Sequence, residues 1–316
     1  MYWDGYYPRY SKLKSHKMPQ IQVRGTSHYY EWIKTPKDGE KKPVMVFMHG
    51  WGGSSRYWET PAKALSETFD CLLYDMRGFG RSRKLSPVGN GSVLAEESSP
   101  LAEEPATAEE LTYEMEEYAD DLAGLLEALE CDRVYVNAHS MGASVAVFFL
   151  NRYPELVEKA ILTCSGVFEY DEKAFKAFHK FGGYVVKFRP RWLYQLPLVD
   201  RMFMKRFVHR PLPSAISRAF LDDFLMADYQ AAVGTMITSV SEKAAQVMPN
   251  EFAKLTVPTL IVAGEYDIII PAAMGRVAAG LSDKVEYVEI PDTAHFPMLE
   301  APEAYLKVVL KFLGWD

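Results

Sequence analysis

Asn137-Ala138-His139-Ser140-Met141-Gly142 is the stretch on which the reading of this chain turns. Residues 133–136, rich in strand formers, lead into it, and the apolar, helix-like run 143–150 leaves it. A serine with small residues two positions away on either side, set at a strand-to-helix joint, reads as a nucleophile elbow. The turn is so tight that larger side chains at those flanking positions would strike neighbouring backbone. In return the serine hydroxyl projects into open space, and the N–H of the next residue points toward the same space. A pentapeptide of this kind arises by chance fairly often, so its partners elsewhere in the chain decide its meaning.

Outward from the elbow, apolar runs of strand length alternate with amphipathic runs of helix length. Strands are expected at 44–48, 71–74, 133–138, 159–163, 259–264 and 284–290. Helices are expected at 55–65, at 111–129 behind a capping box formed by Thr107 and Glu110, and from Pro302 to about Phe312. This alternation predicts an α/β fold: a mostly parallel sheet with helices on both faces. Two segments break the rhythm. Residues 84–106 are rich in Ser, Pro, Gly, Ala and Glu and read as a mobile acidic surface loop. Residues 167–250 are helical, aromatic and punctuated by Pro, an insertion large enough to form its own small subdomain. The expected organisation is an N-terminal extension (1–20), a first core part (21–166), the inserted helical segment (167–250) and a second core part (251–316).

Bulk properties narrow the function classes. The chain has 316 residues, 48% of them hydrophobic and 24% charged, an ordinary composition for a soluble globular protein. No apolar run approaches the roughly 18–20 residues needed to span a bilayer, and the first residues lack a secretory pattern, so a cytoplasmic location is expected. Cys71, Cys131 and Cys164 lie far apart at or beside expected strands and read as core thiols in a reducing compartment. No Cys-x-x-Cys or His-rich cluster is present, so neither a metal nor a cofactor is expected. The net charge of −7 argues against nucleic acid as a partner.

Acyl transfer through a serine needs a base for the hydroxyl proton, an acid to orient that base, and donors for the developing oxyanion. In a parallel sheet these come from loops at the carboxyl ends of strands. The base candidate is His295, in Pro291-Asp292-Thr293-Ala294-His295-Phe296, after the last expected strand. The acid candidate is Asp267, just past residues 259–264, with Glu265 as its competitor; the segment Thr163-Cys164-Ser165-Gly166 offers no carboxylate. The oxyanion donors are expected to be the backbone N–H groups of Met141 and of Trp51, in His49-Gly50-Trp51-Gly52-Gly53. His49 is expected to pack beneath that loop. Gly50, Trp51, His139 and Phe296 flank these groups and are the candidate substrate contacts.

Ser140, Asp267 and His295 in that order, with His49-Gly50 upstream and Asp75-Met76-Arg77-Gly78-Phe79-Gly80-Arg81-Ser82 after the second core strand, resemble the α/β-hydrolase family. The resemblance covers roughly 21–166 and 251–312. It implies an eight-stranded core, a helical cap between strands six and seven, and a structural task for Asp75 and Arg77 beside the oxyanion loop. The first small position of the elbow departs from the family pattern, with Ala138 where Gly is usual. Dehalogenases and epoxide hydrolases of this fold carry Asp where Ser140 stands, and proline iminopeptidases usually carry a Gly-Gly-Ser-Trp-Gly elbow. The expected activity is therefore hydrolysis of a small-molecule carboxylic ester, with a hydrophobic or amphiphilic part. A thioesterase, a C–C bond hydrolase or lyase using the same three residues, and a ligand receptor on the same fold are the alternatives.

Charge is distributed unevenly. Residues 96–121 hold 11 acidic residues and no Lys or Arg, whereas residues 173–210 hold 10 Lys or Arg against Asp200 alone. Nine aromatics interleave with those cations: Phe175, Phe178, Phe181, Tyr184, Phe188, Trp192, Tyr194, Phe203 and Phe207. One reading makes the aromatics pack the cap onto the core. The other makes this stretch a peripheral contact for anionic membrane or a grip for an amphiphilic substrate.

Overall fold

Along the central strands, successive side chains enter opposite layers, and both layers are apolar. In β3 (Val44–Met48), Met45 and Phe47 join one core cluster while Val46 and Met48 join the other. β4 (Asp70–Tyr74) repeats the division, with Cys71 and Leu73 on one side and Leu72 and Tyr74 on the other. Strands buried on both faces must be covered twice, which is the condition for helices on both sides of a parallel sheet. The computed structural model describes residues 19–34, 42–83 and 111–315. The bulk of the N-terminal extension, the acidic loop and the capping box at 107–110 lie outside the described residues.

The other strands are β1 (Gln20–Val23), β2 (Thr26–Ile33), β5 (Val134–His139), β6 (Val157–Thr163), β7 (Thr259–Gly264) and β8 (Val285–Ile290). The eight form one sheet in the order β1-β2-β4-β3-β5-β6-β7-β8. β1 and β2 pair antiparallel, β2 pairs antiparallel with β4, and every other neighbouring pair is parallel. Six of these strands match the expected runs. β1 and β2 join through Arg24 and Gly25, both at positive φ (47° and 76°), the two-residue turn that suits the twist of a hairpin.

Helices α1 (Glu59–Leu65), α10 (Pro297–Glu300) and α11 (Pro302–Leu313) belong to the layer containing Phe47. Helices α2 (Met115–Ala128), α3 (Met141–Arg152) and α9 (Ala272–Ala279) cover the other face. α2 starts at Met115 with Glu114 as its N-cap, not at Leu111. Between β6 and β7 lie α4 (Glu172–Lys187), α5 (Val199–Met204), α6 (Ser214–Met226), α7 (Tyr229–Ser239) and α8 (Glu242–Ala253). These are the cap helices after strand six. The boundary drawn at residue 250 falls inside α8, which reaches back to the core through Asn151, whose amide donates to the Glu251 carbonyl at 2.9 Å.

Candidate active site

β5 ends at His139 and α3 begins at Met141, leaving Ser140 to make the turn by itself. It does so at φ 54°, ψ −122°, a region that non-glycine residues seldom occupy and that surrounding contacts must enforce. Ser140 N–H donates to the Thr163 carbonyl on β6 at 2.9 Å. A side chain at Gly142 would meet the His49 carbonyl oxygen at 2.5 Å, so glycine is required there for α3 to leave the sheet at this angle. Ala138, by contrast, sits fully buried between Met48 of β3 and Leu162 of β6, where its methyl is accommodated.

The loops after β7 and β8 bring the other two side chains to the same edge. His295 Nε2 lies 3.0 Å from Ser140 Oγ, and its Nδ1 lies 2.7 Å from Asp267 Oδ2. The other Asp267 oxygen accepts from the N–H groups of Ile269 (2.8 Å) and Ile270 (3.1 Å). Burial raises the pKa of Asp267, but His295 and these two N–H donors outweigh it, and the net shift is downward. Asp267 therefore stays ionised and accepts from Nδ1–H, which leaves Nε2 of a neutral imidazole facing the hydroxyl as an acceptor. Glu265, the competing carboxylate, instead accepts from Asp292 N–H.

The loop after β3 closes the serine from another side. A Cβ added to Gly50 would lie 3.1 Å from Ser140 Cβ, so backbone passes directly beside the nucleophile candidate. His49 is fully buried beneath this loop: Met76 N–H donates to Nε2 at 2.9 Å, and Nδ1 therefore carries the proton toward the Gly50 carbonyl at 2.9 Å. Burial lowers the pKa of His49 and keeps the ring neutral. Asp75 braces the far end of the loop, accepting from Ser55 N–H (2.8 Å) and Oγ (2.7 Å) with one oxygen and from Arg81 N–H (2.8 Å) and Nε (2.7 Å) with the other. Arg77 turns away to Asp121, at 2.8 Å. Met141, as the first residue of α3, has an N–H with no partner one turn earlier in the helix.

Residues 43–302 match the model of a family described as alpha/beta hydrolase fold. The chain belongs to the α/β hydrolase fold family. It is 24% identical over 280 residues to 2-(acetamidomethylene)succinate hydrolase of Mesorhizobium japonicum, covering 86% of this chain and 88% of that one. Among solved structures, the enol-lactonase from Burkholderia xenovorans superposes with a TM-score of 0.70 at 22% identity, covering 94% of this chain and 100% of the other. A thermophilic esterase from Thermogutta terrifontis gives 0.69 at 21% identity, covering 94% and 98%. Family and relatives agree on a coarse class, a hydrolase of the α/β fold.

Within this α/β hydrolase, two expected substrate contacts are corrected. His139 lies behind Ser140, fully buried, with both ring nitrogens engaged: Nε2 is 2.7 Å from the His295 carbonyl and Nδ1 is 2.8 Å from Tyr57 Oη. A carbonyl only accepts, so Nε2 donates; Nδ1 accepts from the Tyr57 hydroxyl, whose oxygen in turn accepts from Gly50 N–H. Burial foremost, and then His295, lowers the pKa of His139 far below its ordinary value, consistent with this neutral tautomer. Phe296 is also buried, its ring centroid 4.7 Å from that of His139 and 5.3 Å from that of Phe220. Strand and loop order carried both residues to the right place without revealing which way their side chains point.

Tyr57 is the functional neighbour that sequence reasoning missed. Its hydroxyl links the loop holding Gly50 to the loop holding His295, through His139. Burial drives its pKa well above the usual phenol value, so it remains a donor. Cys164, also buried, donates to the His295 carbonyl at 3.3 Å, with its pKa pushed up by burial and the nearby Asp267. Among the described residues, His139, Cys164 and His295 form the one group with metal-ligand chemistry, but the carbonyl of His295 occupies two of its donors.

The cap reaches the same place. Trp51 Nε1 donates to the Ala232 carbonyl of α7 at 2.9 Å, and its ring packs 5.6 Å from that of Phe224 on α6. A side chain at Gly53 would meet Phe220 at 3.0 Å, and Phe207 gives its carbonyl to His295 N–H at 2.9 Å. Arg56 and Ser54 bind Asp223 of α6, Ser54 Oγ at 2.6 Å. Burial pushes the Asp223 pKa up to about 6 even against these two partners.

Proposed function

We propose that this α/β hydrolase cleaves carboxylic esters with a hydrophobic acyl or alcohol part, through an acyl-enzyme on Ser140. The observation that carries the reading is the hydrogen-bonded line Asp267–His295–Ser140, at 2.7 Å and 3.0 Å, at the carboxyl edge of the sheet. Ser140 Oγ attacks the ester carbonyl carbon while His295 Nε2 takes its proton. Asp267 holds Nδ1–H and stabilises the imidazolium. The carbonyl oxygen, now anionic, is received by the N–H groups of Trp51 and Met141. His295 returns the proton to the departing alkoxide, and the alcohol leaves. A water then gives its proton to His295, attacks the acyl carbon, and the acid is released with Ser140 reprotonated.

The aromatic wall of Trp51, Phe207, Phe220 and Phe224 around these loops supports an apolar substrate part. The enol-lactonase and esterase named among the structural neighbours are consistent with ester chemistry on this scaffold. The test is a comparison of nitrophenyl esters of increasing chain length with a vinylogous diketone. Ester turnover that rises with acyl length supports the reading; cleavage of the diketone without ester turnover would replace it with C–C hydrolysis.

A further inference from the structure

Seven of the nine aromatics of the basic segment fall into two groups, one packed within the cap and one facing solvent. Phe203 and Phe207 pack on Phe220 inside the cap, and Tyr194 lies under Arg218. On α4, however, Phe181 is 72% exposed, Tyr184 62% and Phe188, just past its end, 74%. Positions 181, 184 and 188 are spaced i, i+3, i+7 and share one helix face. Lys173, Lys176, Lys180 and Lys187 are exposed beside that stripe, and α4 carries a single acid, Glu172, which pairs with Lys176.

The opposite face of α4 is firmly seated. Gly182 lets it approach α7 so closely that a side chain there would strike Met236 Sδ, and His179 Nε2 donates to the Val240 carbonyl at 2.5 Å. The outward aromatics are therefore not needed to hold the helix in place. Trp192 (53% exposed) follows in the next turn.

We infer that the outer face of α4 docks on the surface of an anionic lipid bilayer. Aromatic rings on one stripe with Lys beside it is the arrangement of helices that lie in a membrane interface, where rings enter the acyl boundary and Lys stems extend to head groups. Protein–protein interface cores are instead depleted in Lys. A two-fold self-contact through this face would set Lys against Lys. Charge complementarity selects the sign of the surface. Residues 173–210 carry a local balance of +9 in a chain of net −7, so the rest of the chain carries −16 and is repelled by anionic lipid. That contrast orients the molecule, with α4 toward the bilayer. This inference does not depend on the chemistry proposed for Ser140.

Vesicle flotation with the full chain tests it, using phosphatidylcholine with and without about 30% phosphatidylglycerol, at low salt and at about 0.5 M salt. Binding is expected to the anionic vesicles at low salt, weakened by salt and by omission of phosphatidylglycerol. The variant Phe181→Ser/Tyr184→Ser/Phe188→Ser should lower partitioning at least about tenfold, and Lys176→Gln/Lys180→Gln/Lys187→Gln should remove the preference for anionic lipid. Circular dichroism checks folding, and Phe188→Ser alone repeats the test with the least perturbation. Absence of binding to anionic vesicles at low salt, or binding that all three variants retain, overturns the inference. So does sedimentation velocity showing a dimer that the aromatic variant dissolves, because the face would then be an interface between copies.

Discussion

The region behind Ser140 and the outer face of α4 use similar residue types in opposite ways. Behind the serine, Tyr57, His139 and Phe296 are buried, and the polar atoms of Tyr57 and His139 have partners assigned in only one direction, from Gly50 N–H to the His295 carbonyl. On α4, the rings of Phe181, Tyr184 and Phe188 stand in solvent beside lysines. The difference teaches where precision resides in this molecule. A buried polar chain loses energy whenever one link is removed, because its neighbours are left without water or a partner. An exposed stripe loses almost nothing from the fold when changed, so its composition must be explained by something outside the fold.

The comparison can be broken by substitutions on either side. Ser140→Ala is expected to lower ester turnover by roughly ten-thousandfold or more with an unchanged circular dichroism spectrum. Asp267→Asn should follow at about a thousandfold or more, since the amide can donate to Nδ1 and present the wrong tautomer to Ser140. Steady-state kinetics with a soluble nitrophenyl ester reads both.

Asp75→Asn, which removes one member of a buried ion pair with Arg81, should cost about 3–5 kcal/mol in urea unfolding. Arg81 and its hydrogen bonds hold the Asp75 pKa far below its ordinary value despite complete burial, which alone would raise it. A depressed folded pKa contributes stability above the unfolded value of about 4 and loses it as pH falls toward the folded one. The Asp75→Asn variant should therefore show a flatter acid limb below about pH 4 than the parent.

Tyr57→Phe is a smaller change with a sharper meaning. It strands the Gly50 N–H and His139 Nδ1, with an expected cost of about 1–3 kcal/mol in stability and on the order of tenfold in turnover. The aromatic triple variant of α4 should stay within about 0.5 kcal/mol of the parent and keep full turnover of a soluble ester. Equal stability losses in these two variants would abolish the contrast between the regions.

The fold and the candidate site were legible to different degrees for physical reasons. Ser140 and Asp267 follow the buried apolar strands β5 and β7, and His295 follows the half-buried edge strand β8; a parallel sheet gathers the ends of such strands at one edge, so chain order located them. β1 and β2 escaped because they pair antiparallel and are partly exposed, which breaks the continuous apolar signal of the central strands. Leu111 continued the helical repeat of α2 although the helix starts at Met115, because apolar spacing persists beyond the hydrogen-bonded turn. Tyr57 was invisible as a link, since its partners, Gly50 in the loop after β3 and His139 at the end of β5, lie 7 and 82 residues away in sequence. His139 and Phe296 were read as substrate contacts, but both side chains are buried, which chain order does not reveal.

Labelling with a fluorophosphonate, followed by peptide mass mapping, tests the central claim most directly, because the reagent reacts much faster with a serine activated by an adjacent base than with an ordinary hydroxyl. The account predicts one adduct, on Ser140, that disappears in Ser140→Ala and forms far more slowly in His295→Ala. An unlabelled Ser140 in folded protein, or equal labelling rates with and without His295, would contradict it.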